Sequence, residues 1–423
     1  MNAADRLRKQ GESAQAASAV LARTPTRTRN HALENIARAL ETEQGPVLAA
    51  NEADYRDVEA DGIDAAFLDR LLLTPERLND MATDVRRVAG LDDPVGELIE
   101  AFTLENGLDV QKRRIPLGVI ASIYESRPNV TTDIVALALK SGNACLLRGG
   151  KETLRSNTAL VSLVHRAIGE AGVSTDAVQF VNDIDRSLVD VMLQMKDQIN
   201  LLVPRGGSGL INFVAEHATM PVLTGGVGVC HTYVDRDADA DMAASIIYNA
   251  KVQRPTVCNA LDTVLVHSEV AGRCLPEIAG QLNSAGVEMR CDHRALTILG
   301  PDTGLNTVPA QEDDWGREFL ALIAAVKVVD SLDDALDHIQ TYGSGHSEAI
   351  VTRDGEAAER FLNEVDAAAV YHNTSTRFTD GAQFGFGSEV GISTDKFHAR
   401  GPLGLRELTS YKWIVRGSGQ IRG

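Results

Sequence analysis

Between about residues 108 and 341 the chain switches repeatedly between short apolar, β-branched runs and longer stretches with helical spacing, and glycines mark many of the joins. Residues 108–124 alternate and are β-branched, so they read as strands. Residues 144–147, 178–181 and 199–203 are further short strands, each leading into a helical stretch. A second block repeats the rhythm, with helices at 238–250, 269–285 and 332–341 and strands at 262–267 and 324–329. Strands joined through helices run parallel and are covered on both faces, so the pattern calls for an α/β fold with doubly wound parallel sheets. Two such lobes with an active site between them are expected. Residues 1 to about 100 read as helices, as in His31-Ala-Leu-Glu-Asn-Ile-Ala-Arg-Ala-Leu40. The tail, 375–423, is rich in Gly, Ser and charge and ends in a strand-like 411–416.

Composition narrows the function classes. Asp and Glu number 59 against 41 Lys and Arg, a net charge of -18, which repels phosphate backbones and disfavours a nucleic-acid role. Nine of the 41 basic residues are Lys and the rest Arg. Abundant Asp with scarce Lys reads as a surface adapted to high salt; an acidic protein from a GC-rich genome is the other reading. No apolar run approaches the ~20 residues that cross a bilayer, so no membrane role is expected. The first residues carry charge early and lack an apolar h-region, so a cytoplasmic protein is expected. Five cysteines, at 145, 230, 258, 274 and 291, are widely spaced and match no zinc pattern, which implies neither a disulfide framework nor a metal site.

Three features carry chemistry. Arg148-Gly149-Gly150-Lys151 and Arg205-Gly206-Gly207-Ser208 each follow an apolar strand and open a helix, where bare backbone N–H groups can approach phosphate. Neither is a G-x-G-x-x-G or a P-loop, and each reads equally as a tight turn. Cys258 lies in a polar, Pro-broken stretch between a helix and a strand, whereas Cys145 sits in a strand and Cys274 in a helix. A loop thiol near Lys251 and Arg254 can have a lowered pKa and act as a nucleophile. The stretch 373–393 interleaves aromatics with Gly and hydroxyl residues around Arg377, as a substrate-facing loop or a subunit contact would.

Taken in order, these pieces resemble the aldehyde dehydrogenase superfamily, and within it the branch that reduces an acyl phosphate. The resemblance rests on Gly118-Val-Ile-Ala-Ser-Ile-Tyr-Glu-Ser-Arg-Pro-Asn-Val-Thr131, Leu139-Lys-Ser-Gly-Asn-Ala-Cys-Leu-Leu-Arg-Gly-Gly-Lys-Glu152 and Pro204-Arg-Gly-Gly207. It continues through Gly228-Val-Cys-His-Thr-Tyr-Val-Asp235, Gln253-Arg-Pro-Thr-Val-Cys-Asn-Ala260, Ser375-Thr-Arg-Phe-Thr-Asp-Gly381 and His398-Ala-Arg-Gly-Pro-Leu-Gly-Leu405. It implies an aldehyde dehydrogenase-like fold: a cofactor-binding domain at 1–105 and 125–235, a catalytic domain at 236–375, and an oligomerisation hairpin and arm at 106–124 and 395–423. It also implies Cys258 as nucleophile, Asn129 as oxyanion donor together with the Cys258 N–H, and Glu318, in Trp315-Gly-Arg-Glu-Phe319, on the nicotinamide ribose. Arg148 falls on the adenosine ribose. Lys151 replaces an acidic residue common in NAD-preferring relatives, and two cations there favour NADPH.

One departure bears on the reaction. Hydrolytic relatives carry a general-base Glu in a Glu-Leu-Gly-Gly segment, whereas this chain has Leu223-Thr-Gly-Gly226, and Leu cannot activate water. The resemblance therefore implies reduction of L-glutamate 5-phosphate to L-glutamate 5-semialdehyde through a Cys thioester, the second step from glutamate to proline. Arg127, Arg254, Arg377 and Arg400 are the cations available for the substrate's carboxylate and phosphate. An upstream glutamate 5-kinase and a homo-oligomer, dimer or tetramer, are the implied partners. Rival readings are a dehydrogenase for a different acyl phosphate and a silent binding subunit, the latter at odds with an intact Cys258 motif.

Overall fold

Apolar residues recur at helical spacing through the first ninety positions. Leu7, Ala14, Ala17 and Leu21 line one helix, and Leu33, Ile36, Ala37 and Leu40 line the next. The computed structural model describes residues 2–62, 65–301 and 303–422. In chain order its elements are α1 (Ala3–Leu21), α2 (Thr26–Thr42), α3 (Gln44–Ala60), α4 (Ala65–Leu71), α5 (Pro75–Gly90), β1 (Leu98–Thr103), β2 (Asp109–Pro116), β3 (Val119–Tyr124), α6 (Asn129–Lys140), β4 (Ala144–Arg148), α7 (Leu154–Glu170), β5 (Val178–Phe180), α8 (Ser187–Leu193), β6 (Leu201–Arg205) and α9 (Ser208–His217). They continue as β7 (Cys230–Val234), α10 (Ala240–Val252), β8 (Leu261–His267), α11 (Ser268–Ser284), β9 (Glu288–Cys291), α12 (His293–Leu299), β10 (Thr307–Pro309), β11 (Ile323–Val329), α13 (Leu332–Tyr342), β12 (Ser347–Val351), α14 (Gly355–Glu364), β13 (Ala369–His372), β14 (Ile392–Ser393), β15 (Gly401–Pro402) and β16 (Thr409–Arg416).

The chain divides into two compact units. One comprises residues 1–225, 385–391 and 402–423, and the other comprises 226–384 and 392–401. In the first, a parallel sheet has the order β5-β4-β3-β6. The chain starts at β3, winds outward through β4 and β5, and returns to the other side of β3 as β6. The topological switch point therefore lies between β3 and β6, where open α/β sheets leave a crevice at their carboxyl ends. A separate antiparallel sheet, β1-β2-β16, pairs Trp413 with Lys112 and Thr409 with Pro116.

Helix α6 leaves the carboxyl end of β3 and is tied down at its far end. The buried Arg29 of α2 donates to the carbonyl of Lys140, pairs with Asp93 at 2.5 Å and reaches the Thr24 carbonyl at 3.2 Å. The Lys140 ammonium donates to Asn30 Oδ1 at 2.8 Å and to the Ala89 carbonyl at 2.7 Å. Two cations thus cap the negative end of the helix dipole, and every donor that burial strips of water is answered by a carbonyl or carboxylate.

The second unit holds a seven-stranded parallel sheet in the order β10-β9-β11-β8-β7-β12-β13. Its central strands are buried along almost their whole length, as a sheet covered on both faces requires. One core gathers Ile247, Leu275, Ile278, Leu282, Val264 and Val326; the other gathers Tyr233, Leu265, Ile339, Ile350 and Phe361.

The division differs from the sequence reading in two places. Residues 230–234 were expected in the cofactor-binding domain, yet β7 hydrogen-bonds to β8 and β12 and so belongs to the second unit. Residues 119–124, expected in the oligomerisation hairpin, form β3, the fully buried centre of the first parallel sheet. Pro116 and the left-handed Gly118 separate the two strands that alternation had run together. Replacing Arg29 with Met removes the cation from Asp93, which keeps only the neutral donors Thr26 Oγ1 and the Val95 N–H, and takes the side-chain donor from the Lys140 carbonyl. Urea unfolding of this variant should show the first transition weakened by about 3 kcal/mol, the usual cost of breaking a buried pair.

Candidate active site

Four loops meet at the carboxyl edge of the first sheet, because register sets Tyr124 beside Arg205, Ile123 beside Arg148 and Leu147 beside Phe180. The β4–α7 turn carries Arg148, Gly149, Gly150 and Lys151. A Cβ on Gly149 would lie 2.1 Å from Asn157 Nδ2, so a side chain there would displace the Asn157 amide from its bonds to Thr131 and Thr153. Arg148 is buried and donates to the Asp185 carbonyl at 3.0 Å, while its Nε has no partner. Burial and then the charge of Arg186 pull its pKa down, and Asp183, Asp185 and Glu152 oppose this. Lys151 is exposed. At the β6–α9 turn, Gly207 donates its N–H to Glu125 Oε2 at 3.1 Å, and a Cβ on Gly206 would meet that carboxylate at 2.4 Å.

The loop from β3 to α6 carries Arg127 and leads into Asn129. Ser126, in the left-handed region at φ 55°, donates its N–H to Glu152 Oε1 at 2.8 Å. Asn129 is the first residue of α6, and its Nδ2 donates to Asp133 Oδ2 at 3.0 Å. The first turn is held from below by a buried chain. Tyr124 OH meets Thr131 Oγ1 at 2.6 Å, Thr131 meets Asn157 Oδ1 at 3.0 Å, and Asn157 Nδ2 donates to Thr153 Oγ1 at 2.9 Å. Leu223 is buried and its N–H donates to the Leu202 carbonyl at 2.9 Å.

In the second unit the chemistry gathers where β7, β8, β11 and β12 begin, at the amino edge of the sheet. Cys258 lies in the turn between α10 and β8 and is half-buried, whereas Cys145, Cys230, Cys274 and Cys291 are all buried. Burial pushes the thiols of Cys145 and Cys291 up to about 12 and raises those of Cys230 and Cys274, so none of the four is a ready nucleophile. The backbone of Gly228 lies against the Cys258 turn so closely that a Cβ there would fall 1.8 Å from the Cys258 carbonyl oxygen. The Cys230 thiol donates to the same carbonyl at 3.2 Å. Glu318 Oε1 accepts the Gly228 N–H at 3.1 Å, and burial raises its carboxyl above the usual range.

The flanks of Cys258 are clamped from a distant segment. Arg377 donates through Nε to Gln253 Oε1 at 2.8 Å and through Nη1 to Asn259 Oδ1. Asn259 Nδ2 donates to the Thr379 carbonyl at 2.8 Å, and Thr376 Oγ1 donates to the Asn259 carbonyl at 2.8 Å. Burial and the neighbouring Arg254 lower the Arg377 pKa, which the charges of Asp380 and of the Cys258 and Cys230 thiols counter. Arg377 therefore lies within electrostatic reach of both Arg254 and the Cys258 thiol. Arg400 is instead bound to Asp366, which takes its Nη1 at 2.6 Å and its Nη2 at 3.2 Å.

Lys251, expected beside the thiol as an activating cation, is committed elsewhere. It is fully buried and 3.4 Å from Asp262 Oδ1, and burial lowers its pKa. Burial likewise lifts Asp262 up to about 6. Asp262 accepts the Phe319 N–H at 3.1 Å and the Cys230 N–H at 3.4 Å, so it ties the segment bearing Glu318 to the start of β7. Gly228, Asp262 and Asp133 are the residues that sequence reasoning missed. The signal for Gly228 was its place in the quoted 228–235 motif, and that for Asp133 was its i,i+4 spacing from Asn129 on one helix; Asp262 had none, since its partners lie on other elements.

The sequence profile of the aldehyde dehydrogenase family matches residues 2–303 and 298–414. A gamma-glutamyl phosphate reductase of Dehalococcoides mccartyi is 56% identical over 410 residues, 97% of each chain. One from Moorella thermoacetica is 51% identical over 422 residues, the full length of both. The crystal structure of the gamma-glutamyl phosphate reductase of Thermotoga maritima is similar at a TM-score of 0.96 and 47% identity, covering 99% of this chain and 100% of that one.

Gly228→Ala forces the Cys258 carbonyl to move by more than an ångström. We expect kcat to fall at least ~100-fold, the scale of a 1 Å misplacement, with the circular dichroism spectrum unchanged.

Proposed function

Because the chain belongs to the aldehyde dehydrogenase family and to its gamma-glutamyl phosphate reductases, we propose that it reduces L-glutamate 5-phosphate to L-glutamate 5-semialdehyde and phosphate through a thioester on Cys258. The observation that carries this reading is the half-buried Cys258 turn, packed on Gly228 and clamped by Arg377, beside four thiols raised by burial. The Cys258 thiolate attacks the acyl carbon, the carbon–oxygen bond to phosphate breaks, and phosphate leaves. Reduction of the thioester gives a tetrahedral oxyanion, held by the Asn129 amide and the Cys258 N–H. Its collapse breaks the carbon–sulfur bond, returns the thiolate and frees the aldehyde. Arg377 and Arg254 serve the anionic ends of the substrate, and Arg127 is exposed at the head of α6. Arg400 contributes through its Asp366 pair to the fold of 366–401. Leu223, which the resemblance sets at the position of the general-base Glu of hydrolytic relatives, is buried and cannot itself activate water against the thioester.

The first unit suits a nicotinamide dinucleotide. A switch-point crevice, two glycine turns whose residues 149, 150 and 206 lie close against neighbouring side chains, and the unpartnered buried Arg148 Nε all favour an extended phosphate-bearing ligand. Arg148, Gly149, Gly150, Lys151, Gly206, Gly207 and Glu318 would hold it. When bound, NADPH supplies the hydride. The clustered cations Arg148, Lys151 and Arg186 favour a 2′-phosphate on the adenosine ribose. The substrate is a labile acyl phosphate, so it comes directly from a glutamate 5-kinase in the cytoplasm, as the step before it toward proline.

The reverse direction tests this. Oxidation of glutamate 5-semialdehyde should reduce NADP faster than NAD, require inorganic phosphate and vanish in Cys258→Ala. Turnover without phosphate would overturn the assignment of Leu223, and turnover in Cys258→Ala would overturn the thioester.

We also propose that the β1-β2-β16 sheet joins copies of the chain into a dimer or tetramer. Phe102, Tyr411 and Trp413 stand 41%, 49% and 49% exposed on it, with Lys112 lying 3.9 Å from the Tyr411 ring centroid. Light scattering behind size exclusion should give at least a dimer mass that falls to the monomer in Trp413→Glu.

A further inference from the structure

We infer that Asp133 is a positioning residue for the reaction: its carboxylate fixes which way the Asn129 amide faces and so aims the second amide N–H at the developing oxyanion. The inference rests on the reading of Asn129 as the oxyanion donor.

The geometry is local and one-sided. Asn129 opens α6, and Asp133 lies one helical turn on, where side chains four residues apart share a face. Asn129 Nδ2 donates to Asp133 Oδ2 at 3.0 Å. An ionised carboxylate has only acceptor oxygens, so it can take the NH2 edge of the amide and not its carbonyl edge. With one N–H on Asp133, the other projects at a fixed angle from a side chain whose rotamer is set. A neutral carboxylic acid, or an amide in its place, offers both a donor and an acceptor. Either edge of Asn129 then finds a partner, and the orientation is no longer unique.

The surroundings agree with such a role. The helix that presents the pair does not move freely. Its first turn is bound through Thr131 to Tyr124 and Asn157, and its last turn is capped by Arg29. The charged groups that face Asp133 are Asp84 from α5 and Arg205 at the end of β6, with Asn129 on its own helix. Burial, and then Asp84, lift the Asp133 carboxyl up to about 7, while Arg205 and the Asn129 amide pull the other way. The sign follows directly. Above about pH 7 the group is charged and the amide is held one way; below it the proton goes on and the aim is lost. Activity should therefore gain an acid limb that belongs to Asp133 and not to the thiol.

The test compares wild type, Asp133→Asn, Asp133→Ala, Asn129→Ala and the Asn129→Ala/Asp133→Asn double variant in the phosphate-dependent reverse reaction. Alkylation of Cys258 by iodoacetamide across pH reports the thiol separately. Removing one oxyanion donor costs ~100- to 1000-fold in kcat, so Asn129→Ala should fall in that range. Asp133→Asn, which keeps the shape, should lose about tenfold or more in kcat with KM unchanged. It should also lose the acid limb near pH 7, while the alkylation profile matches wild type. The double variant should be no worse than Asn129→Ala alone, since Asp133 acts through that amide. Wild-type kcat and pH profile in both Asp133 variants, beside a crippled Asn129→Ala, would overturn the inference and leave the reading of Asn129 standing. A fall of equal size in the alkylation rate, or a double variant with multiplied losses, would overturn it too, by giving Asp133 a merely structural role. Wild-type kcat in Asn129→Ala would remove the reading of Asn129, and the inference with it.

Discussion

The second unit is organised by one close approach of backbone to backbone, Gly228 on the carbonyl of Cys258. A turn that presents a nucleophile at the amino edge of a parallel sheet has no helix dipole at its back and no ladder to hold it, so its conformation must come from contacts. Gly228 brings the strand start into contact with the turn; the Cys230 thiol and Asp262 then extend the tie to β7 and β8. Glu318 takes the N–H of the same glycine, which couples the proposed ribose ligand to the position of the nucleophile. A side chain on residue 228 would disturb all of these at once. The constraint acts on the backbone, and no choice of rotamer elsewhere relieves it.

The charges in this unit divide between holding the turn and facing the chemistry. Lys251 and Asp262 answer each other inside the protein, where both lean toward their neutral forms, and their value lies in the backbone N–H groups that Asp262 collects. Arg377 does both. Its Nε and one Nη staple the two sides of the Cys258 turn, and its charge is countered by that of the thiol. A guanidinium suits this position because its fork offers several donors in a fixed plane; a lysine has one point charge and cannot bridge Gln253 to Asn259 while facing a third group.

Much of this was legible in the sequence, in proportion to how local its cause is. Strands 262–267 and 324–329 and the helix 332–341 came within two residues of β8, β11 and α13, because period and β-branching are local signals. The glycine turns at 149–150 and 206–207 fell where a helix begins for the same reason. Strands β9, β10, β12 and β13 were passed over, since short runs such as Glu288–Cys291 and Thr307–Pro309 carry too little pattern apart from the neighbours they pair with. The boundary at 225 was placed late, because β7 reads like any buried strand until its partners are known. Lys251 was misjudged for a related reason. Seven residues from Cys258 in sequence, it points to Asp262, whereas Arg377, more than a hundred residues away, bonds to Gln253 and Asn259 on the two flanks of Cys258.

Side-chain polarity also separates the two chemistries open to a thioester. On the proposed thioester route, protection from water needs no wall if no base is at hand to deprotonate it, and an aliphatic side chain at 223 would meet that condition at the level of a single residue. What remains to be supplied is stabilisation of negative charge as the acyl carbon becomes tetrahedral, and that demands donors already aimed, since reorganising them in the transition state would cost what they give. An asparagine is a poor donor for this purpose unless something decides which end of its amide faces the oxygen. A carboxylate one helical turn away decides it, because it accepts and never donates. The burial that raises the pKa of Asp133 follows from placing that carboxylate against α5 and the end of β6, beside Asp84 and Arg205, and on the proposed role of Asn129 it would give the activity an acid limb of its own.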